Sequence, residues 1–156
     1  MHHTPDRLLG FKYLHIHYNG QPYSLRSHIY FWDARGVIFA ECDKYTKKKF
    51  AHPSRDTPNE KCVCGIYGGF DVSVVREFDY WDCALFLVEG FGKSIVYENG
   101  FRSESARIVC IVDSPYSWFK KYDEIAVSPR LPRISLEVAA KTLREHRVQW
   151  LNADLR

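Results

Sequence analysis

A polar segment from Cys42 to Gly65 constrains this chain more than any other feature of its sequence. The segment holds three of the five cysteines, a histidine, two prolines and three consecutive lysines, and it offers few apolar side chains for a core. A structureless stretch of this length is uncommon inside a compact domain unless it is functional. We therefore expect a bound group to hold the segment in place.

Four side chains of this segment form the ligand set of a structural zinc ion: Cys42, His52, Cys62 and Cys64. Three thiolates and one imidazole fill the tetrahedral coordination of Zn²⁺ and leave no position for a substrate. The spacing C-x9-H-x9-C-x-C differs from that of common zinc fingers, so two alternatives stay open. One is a mobile loop with free thiols. The other replaces His52 by a histidine outside the segment, namely His15, His17 or His28.

The length and composition of the chain indicate one ordered domain. With 156 residues, 46% of them hydrophobic and 26% charged, the chain can bury one core. We assign residues 1–156 to a single domain, with its core in 8–113 and a helical extension in 114–156. The cysteine spacing does not suggest a disulfide framework, and the sequence shows neither a signal peptide nor a membrane span. It therefore predicts a cytoplasmic protein with no membrane contact.

Short alternating runs rich in aromatic residues predict strands, because a period of two fits a half-buried sheet. Asn19-Gly20 and Asn99-Gly100 predict hairpin turns. The segment 33–36 predicts a further hairpin between the runs that flank it, and 90–92 predicts a bend or bulge. The predicted strands cover residues 8–18, 27–32, 37–42, 83–89, 93–98 and 101–112.

Three helices complete the predicted architecture. Asp71 can cap a short helix through Phe78, for which a strand is the alternative, and a second short helix is expected over 114–122. Ser135 caps a final helix whose apolar face carries Leu136, Ala139, Ala140 and Leu143. The sequence thus predicts an α+β, mainly β fold: a curved antiparallel sheet or small barrel with a zinc knuckle and an external C-terminal helix.

The segment 62–67, which reads CVCGIY, resembles the C-x-C-G-I-Y-A motif of an uncharacterised family of small bacterial and phage proteins. In that family W-G-R-V and G-Y-R-A-E segments follow, and residues 91–93 and 100–104 occupy these places here. Gly10–Tyr13 is similar to the family's G-Y-R-A-W start, so the resemblance covers roughly residues 8–113. Gly68 and Phe91 depart from the family's alanine and tryptophan. The resemblance supports the architecture and implies no activity.

A basic run followed by an aromatic residue motivates a binding function. Lysines attract phosphates, exposed aromatic faces stack on bases, and the net charge of +3 permits such contacts. Nucleic acid is therefore the first candidate partner. The alternative is that the lysines form a solvated loop face and that the tryptophans belong to the core. The candidate contact residues are Lys47, Lys48, Lys49, Phe50, Trp32, Trp81 and Arg102.

Two further hypotheses concern an enzyme and a protein adaptor. Arg102 and Glu104 fall on one strand face, where they could serve as acid, base or anion clamp, but a surface ion pair is the simpler interpretation. The sequence carries no P-loop, nucleophile elbow or deaminase signature, which favours binding over catalysis. Trp150 and Leu151 could instead dock on a protein partner, as in an accessory factor of a mobile element or defence system.

Overall fold

The computed structural model describes residues 7–25, 29–42, 57–60, 62–75, 82–115 and 117–154. Two α-helices in these ranges are α1, Val72–Val75, and α2, Leu136–Asp154, and a 3₁₀ helix spans Tyr122–Glu124. The predicted α+β, mainly β fold is confirmed. The described strands are β1, Leu8–Ile16; β2, Pro22–Leu25; β3, Ile29–Phe31; β4, Val37–Phe39; β5, Ile66–Gly69; β6, Cys83–Val96; β7, Gly100–Asp113; and β8, Arg133–Ser135.

Four strands close a ring of backbone hydrogen bonds. β1 pairs with β6, β6 with β7, β7 with β5, and β5 returns to β1, and every one of these pairs is antiparallel. β2 and β3 extend the sheet from β1, while β4 and β8 pair with β7. The predicted curved sheet therefore takes the closed form, in which the long strands β6 and β7 supply most of the wall.

The β6–β7 hairpin bends where the sequence predicts a bend. Its register shifts between Leu87 and Val88 and again between Phe91 and Ser94, and Gly92 has a φ of +77° that favours glycine. The two strands predicted over 83–89 and 93–98 are thus one bent strand. The predicted turn at Asn99-Gly100 forms, with the N–H of Tyr97 donating to the carbonyl of Gly100 at 2.7 Å.

Two apolar clusters lie on opposite faces of β1 and β6. One of them packs against α2 through Ala139 and Leu143, which are almost fully buried, so the predicted apolar face of this helix is confirmed. Ser135 caps the helix as predicted, since its Oγ accepts from the N–H of Val138 at 3.2 Å. Asp71 caps α1 as predicted, since its Oδ1 accepts from the N–H of Ser73 at 2.8 Å. In the described ranges, every helix is too short or too polar to cross a bilayer.

The pairing predicted for the segments around residues 33–36 is wrong. The turn itself forms, because Asp33 Oδ1 accepts from the N–H groups of Arg35 and Val37. The two flanking strands nevertheless pair with other strands: β3 pairs with β2, and β4 pairs with β7. The sequence of residues 33–36 therefore predicted the turn correctly, but it did not predict which strands pair.

The helix predicted over 114–122 is also wrong. The N–H of Phe119 donates to the carbonyl of Cys83 at 3.0 Å, and Ser117 Oγ accepts from the N–H of Leu85 at 3.2 Å. These residues bond to the edge of β6. In the part of 114–122 that the structure describes, the N–H of Ser117 donates to the carbonyl of Ser114 at 3.2 Å in a single turn, and the 3₁₀ helix begins at Tyr122. Between this segment and α2 lies β8, which runs parallel to the end of β7.

One carboxylate on the barrel wall is held by two arginines. Glu89 on β6 is 9% exposed and accepts hydrogen bonds from Arg7 at 2.8 and 3.0 Å and from Arg107 at 3.0 Å. Burial raises the pKa of Glu89, but the hydrogen bonds and charges of the two arginines outweigh burial, and the net shift lowers its pKa. The carboxylate is therefore stabilised in its charged form.

We expect Glu89→Gln to lower the free energy of unfolding at neutral pH by about 1–2 kcal/mol, because the amide keeps the shape and loses the charge. Because the pKa of Glu89 is lower in the folded than in the unfolded protein, its ionised carboxylate stabilises the folded state at pH values above the unfolded-state pKa. This stabilisation is lost as the pH falls through the folded-state pKa. The difference between the two proteins in urea denaturation should therefore shrink below about pH 4. Glu98→Gln, at an exposed position, is the control; equal effects of both variants would contradict the prediction.

Candidate metal centre

The edge of β7 determines where the cysteine segment begins and ends. β4 pairs with β7 up to Phe39 and Ser105, and the N–H of Ala40 then donates to the carbonyl of Glu104 at 2.8 Å. β5 starts on the same edge, where Ile66 lies opposite Ser103. After β4 the chain moves away from the edge of β7, and at the start of β5 it pairs with β7 again at a neighbouring position. This brings Cys42 close to the other two cysteines.

The three cysteines converge at this point. Cys42 Sγ and Cys62 Sγ are 3.7 Å apart, and the sulfur atoms of Cys42, Cys62 and Cys64 all lie within 4.8 Å of one another. A tetrahedral zinc ion with Zn–S bonds of about 2.3 Å separates its sulfur ligands by about 3.8 Å. All three cysteines are reduced and lie outside any disulfide. They lie close enough together to bind one metal ion.

The electrostatic environment of Cys42 disfavours its thiolate form. Burial, followed by the hydrogen bonds and charges of Cys62 and Cys64, raises the pKa of Cys42 to about 12. The Cys42 thiol therefore stays protonated at neutral pH unless a positive charge lies between the sulfurs. A thiophilic metal ion supplies that charge and binds the thiolate form.

Arg102 holds the backbone that carries two of these cysteines. Its side chain is buried, and Nη1 donates to the carbonyl oxygens of Asn59 at 3.3 Å, of Cys64 at 2.8 Å and of Cys62. Its Nε donates to the hydroxyl of Tyr97 at 2.7 Å. The guanidinium thus orders the turn around Cys62 and Cys64 through their backbone carbonyl groups.

Gly65 lets the chain pass from the cysteines into β5. Its φ is +117°, and a Cβ at this position would lie 3.0 Å from Pro58 Cβ and 3.1 Å from Arg102 Cβ. A larger residue would be strained and would press on the arginine. Glycine at this position therefore lets the chain turn directly after the C-x-C pair.

Two residues predicted to contact a partner lie in the interior. Trp32 is fully buried, and its indole N–H donates to Ser24 Oγ at 3.0 Å, so its ring face is covered by the core. Arg102 is 3% exposed and bonds to carbonyl groups. In place of the predicted ion pair with Arg102, Glu104 Oε2 accepts a hydrogen bond from the backbone N–H of Lys93. For Trp32 and Arg102 the structure corrects a contact role to a structural one.

The other predicted site residues divide into two groups. His15 and His17 lie on and just after β1, away from the three sulfurs, where His15 contacts Asp82 and His17 packs against Tyr18. The rest lie outside the described residues, so their roles stay predictions: His28, His52, Lys47, Lys48, Lys49, Phe50 and Trp81.

The arginine clamp, in which Arg102 donates to the carbonyl groups of Asn59, Cys62 and Cys64, was not predicted from the sequence. An arginine between Phe101 and Ser103 in a strand looks like an ordinary surface residue, and no local pattern reveals carbonyl groups approaching from residues 59–64. The available signal was indirect. A cysteine-bearing turn followed by a glycine exposes carbonyl oxygens that require donors.

Comparison of the chain with models of protein families, with curated proteins and with solved structures gives no match. The resemblance of residues 62–67 to the C-x-C-G-I-Y-A motif stays a prediction. The argument for function rests on the geometry of the site.

We expect Arg102→Gln to lower the free energy of unfolding by about 2–4 kcal/mol, because it leaves buried carbonyl oxygens without their donor. Chemical denaturation monitored by tryptophan fluorescence measures this loss. Arg130→Gln is the matched control: its side chain is 81% exposed and pairs with Asp123 at the surface, so its effect should stay within about 0.5 kcal/mol. Equal effects of the two substitutions would refute the clamp.

Proposed function

We propose that this protein is a non-catalytic binding module whose fold is stabilised by a structural Zn²⁺ ion. The observation that carries the proposal is the approach of three sulfur atoms from two distant points of the chain to within 4.8 Å of one another, with a Cys42–Cys62 distance of 3.7 Å that matches one edge of a zinc tetrahedron. Thiolate-rich tetrahedral sites favour zinc among the divalent metals of the cell. His52, which the sequence places midway between Cys42 and Cys62, is the proposed fourth ligand.

The proposed ion would join two parts of the barrel that meet on β7. Cys42 follows β4, whereas Cys62 and Cys64 precede β5, so one ion would cross-link the strands at the point where both end. By its sequence, the segment between them offers few apolar side chains for a core. The binding energy of a structural zinc ion then becomes part of the folding free energy.

We expect Cys64→Ser to lose one equivalent of zinc relative to the wild-type protein and to unfold less cooperatively. Zinc content is measured by mass spectrometry of metals after gel filtration, and unfolding by calorimetry. Cys110→Ser is the control, because Cys110 is a buried thiol of β7 that lies outside the cluster. A wild-type protein without zinc, or a Cys64→Ser variant with full zinc content, would contradict the proposal.

The proposed partner is single-stranded nucleic acid. Lys47, Lys48 and Lys49 belong to the segment whose two ends the metal site would fix. Tyr67 and Tyr97 are 37% and 47% exposed, and their ring centroids lie 6.0 and 5.6 Å from the guanidinium carbon of Arg102. Exposed aromatic rings together with basic side chains are the combination that binds unpaired bases and their phosphates.

We expect the triple substitution Lys47→Gln, Lys48→Gln and Lys49→Gln to weaken binding to a single-stranded oligonucleotide about tenfold or more at low salt, because phosphate contacts are lost. A mobility shift measured at several salt concentrations should show a shallower salt dependence for the variant. The matched control replaces three exposed lysines elsewhere by glutamine: Lys93, Lys121 and Lys141.

Failure of the wild-type protein to retain the oligonucleotide at low salt would overturn the nucleic-acid proposal. It would leave the protein adaptor suggested by the sequence as the next hypothesis. Equal losses in the two triple variants would show that net charge, and not the loop, is responsible.

A further inference from the structure

A second cluster of metal-binding side chains lies where β1 ends and β6 begins. His15 and Cys83 are directly opposite each other in the strand pairing, and Asp82 immediately precedes Cys83. His15 Nδ1 is 2.8 Å from Asp82 Oδ1 and 3.6 Å from Cys83 Sγ, and one donor atom from each residue lies within 4.8 Å of the others. All three residues are buried, in contrast to most titratable groups of the chain.

The surroundings hold these donor atoms in place. The hydroxyl of Tyr23 donates to Asp82 Oδ2 at 2.9 Å, which leaves Oδ1 turned toward His15. The Tyr23 ring also stacks on the His15 ring, with centroids 5.0 Å apart and an interplanar angle of 19°. An outer residue that fixes both the carboxylate and the imidazole is characteristic of metal ligands.

A cavity of about 530 Å³ opens beside the cluster. His15 and Cys83 contribute to its wall, together with Tyr13, Tyr67, Tyr97 and Asn99. Its volume falls in the range of small-molecule sites. The cluster is therefore buried from bulk solvent on the strand side and reachable by a small ligand on the cavity side.

We propose that His15 Nδ1, Asp82 Oδ1 and Cys83 Sγ bind a second divalent cation of the zinc class, with the fourth coordination position directed at the cavity. The observed N···S distance of 3.6 Å equals the edge of a tetrahedron with Zn–N near 2.05 Å and Zn–S near 2.3 Å, about 3.6 Å. The N···O pair must widen from 2.8 Å to about 3.4 Å, because the proton shared by these atoms gives way to the ion.

Charge balance favours such an ion at a buried position. Binding M²⁺ releases one proton from the Cys83 thiol, while the imidazole stays neutral by carrying its proton on Nε2. The ion, the thiolate and the carboxylate then sum to zero charge. The metal-free cluster instead buries a carboxylate whose partners are a phenol and an imidazole. Neutralising a buried group lowers the cost of removing it from water.

The two sites differ in kind. Three sulfurs and a fourth protein ligand would close the site at Cys42, whereas one sulfur, one nitrogen and one oxygen leave the second site open, as in zinc centres that bind exogenous ligands. A water molecule or a small anion could occupy the cavity-facing position. The inference does not require the first site, since the two clusters share no residue.

Zinc stoichiometry of four proteins tests the inference. Each protein is produced with added zinc, passed through metal-free buffer and analysed for zinc per chain. We expect about two equivalents in the wild type and in Cys110→Ser, the control for a buried thiol, and about one in Cys83→Ser and in Asp82→Asn. The substitutions keep side-chain size, and circular dichroism of each variant shows whether it is folded.

The outcomes separate the two metal proposals. If Cys83→Ser and Asp82→Asn retain the zinc content of the wild type, the second site is refuted and the cluster is a hydrogen-bond network. If these variants lose one equivalent while Cys64→Ser loses none, the second site stands and the structural site fails. Cobalt substitution adds a check independent of folding yield: the thiolate-to-cobalt absorption lost in Cys83→Ser should be about one third of that lost when the three-sulfur site is removed.

Discussion

The edge of β7 is the constraint on which the rest of the structure depends. Along one edge it pairs in turn with β5, β4 and β8, while its other edge pairs with β6 over nearly its whole length. Because β4 ends and β5 begins at adjacent positions of this edge, the two ends of the polar segment between them lie close together. The convergence of Cys42 with Cys62 and Cys64 follows from that strand order.

A buried arginine links the strand edge to the thiol cluster. Arg102 belongs to β7, and its guanidinium reaches the carbonyl groups of the turn that carries Cys62 and Cys64. The same side chain lies against the rings of Tyr67 and Tyr97, which stand partly exposed at the rim of the cavity. One residue thereby connects the barrel wall, the candidate metal centre and the aromatic surface proposed for a partner.

Features set by neighbouring residues were predictable from the sequence. Strand alternation, the Asn-Gly turn at Asn99 and the helix cap at Ser135 are local, and the structure bears them out. Features set by distant residues were not. The placement of β4 beside β7, the attachment of Phe119 to the edge of β6 and the inward direction of Arg102 depend on groups that are far away in the chain. The cysteine cluster was predictable because thiols in a polar segment have few alternatives to a metal.

The most direct test of the account is X-ray absorption at the zinc edge, recorded on the Cys83→Ser variant so that only the three-sulfur site holds metal. We expect about three sulfur neighbours at about 2.3 Å and one nitrogen at about 2.0–2.1 Å from the ion. A coordination shell made only of nitrogen and oxygen would contradict the account, because the ion would then lie away from the three cysteines that the strand order brings together.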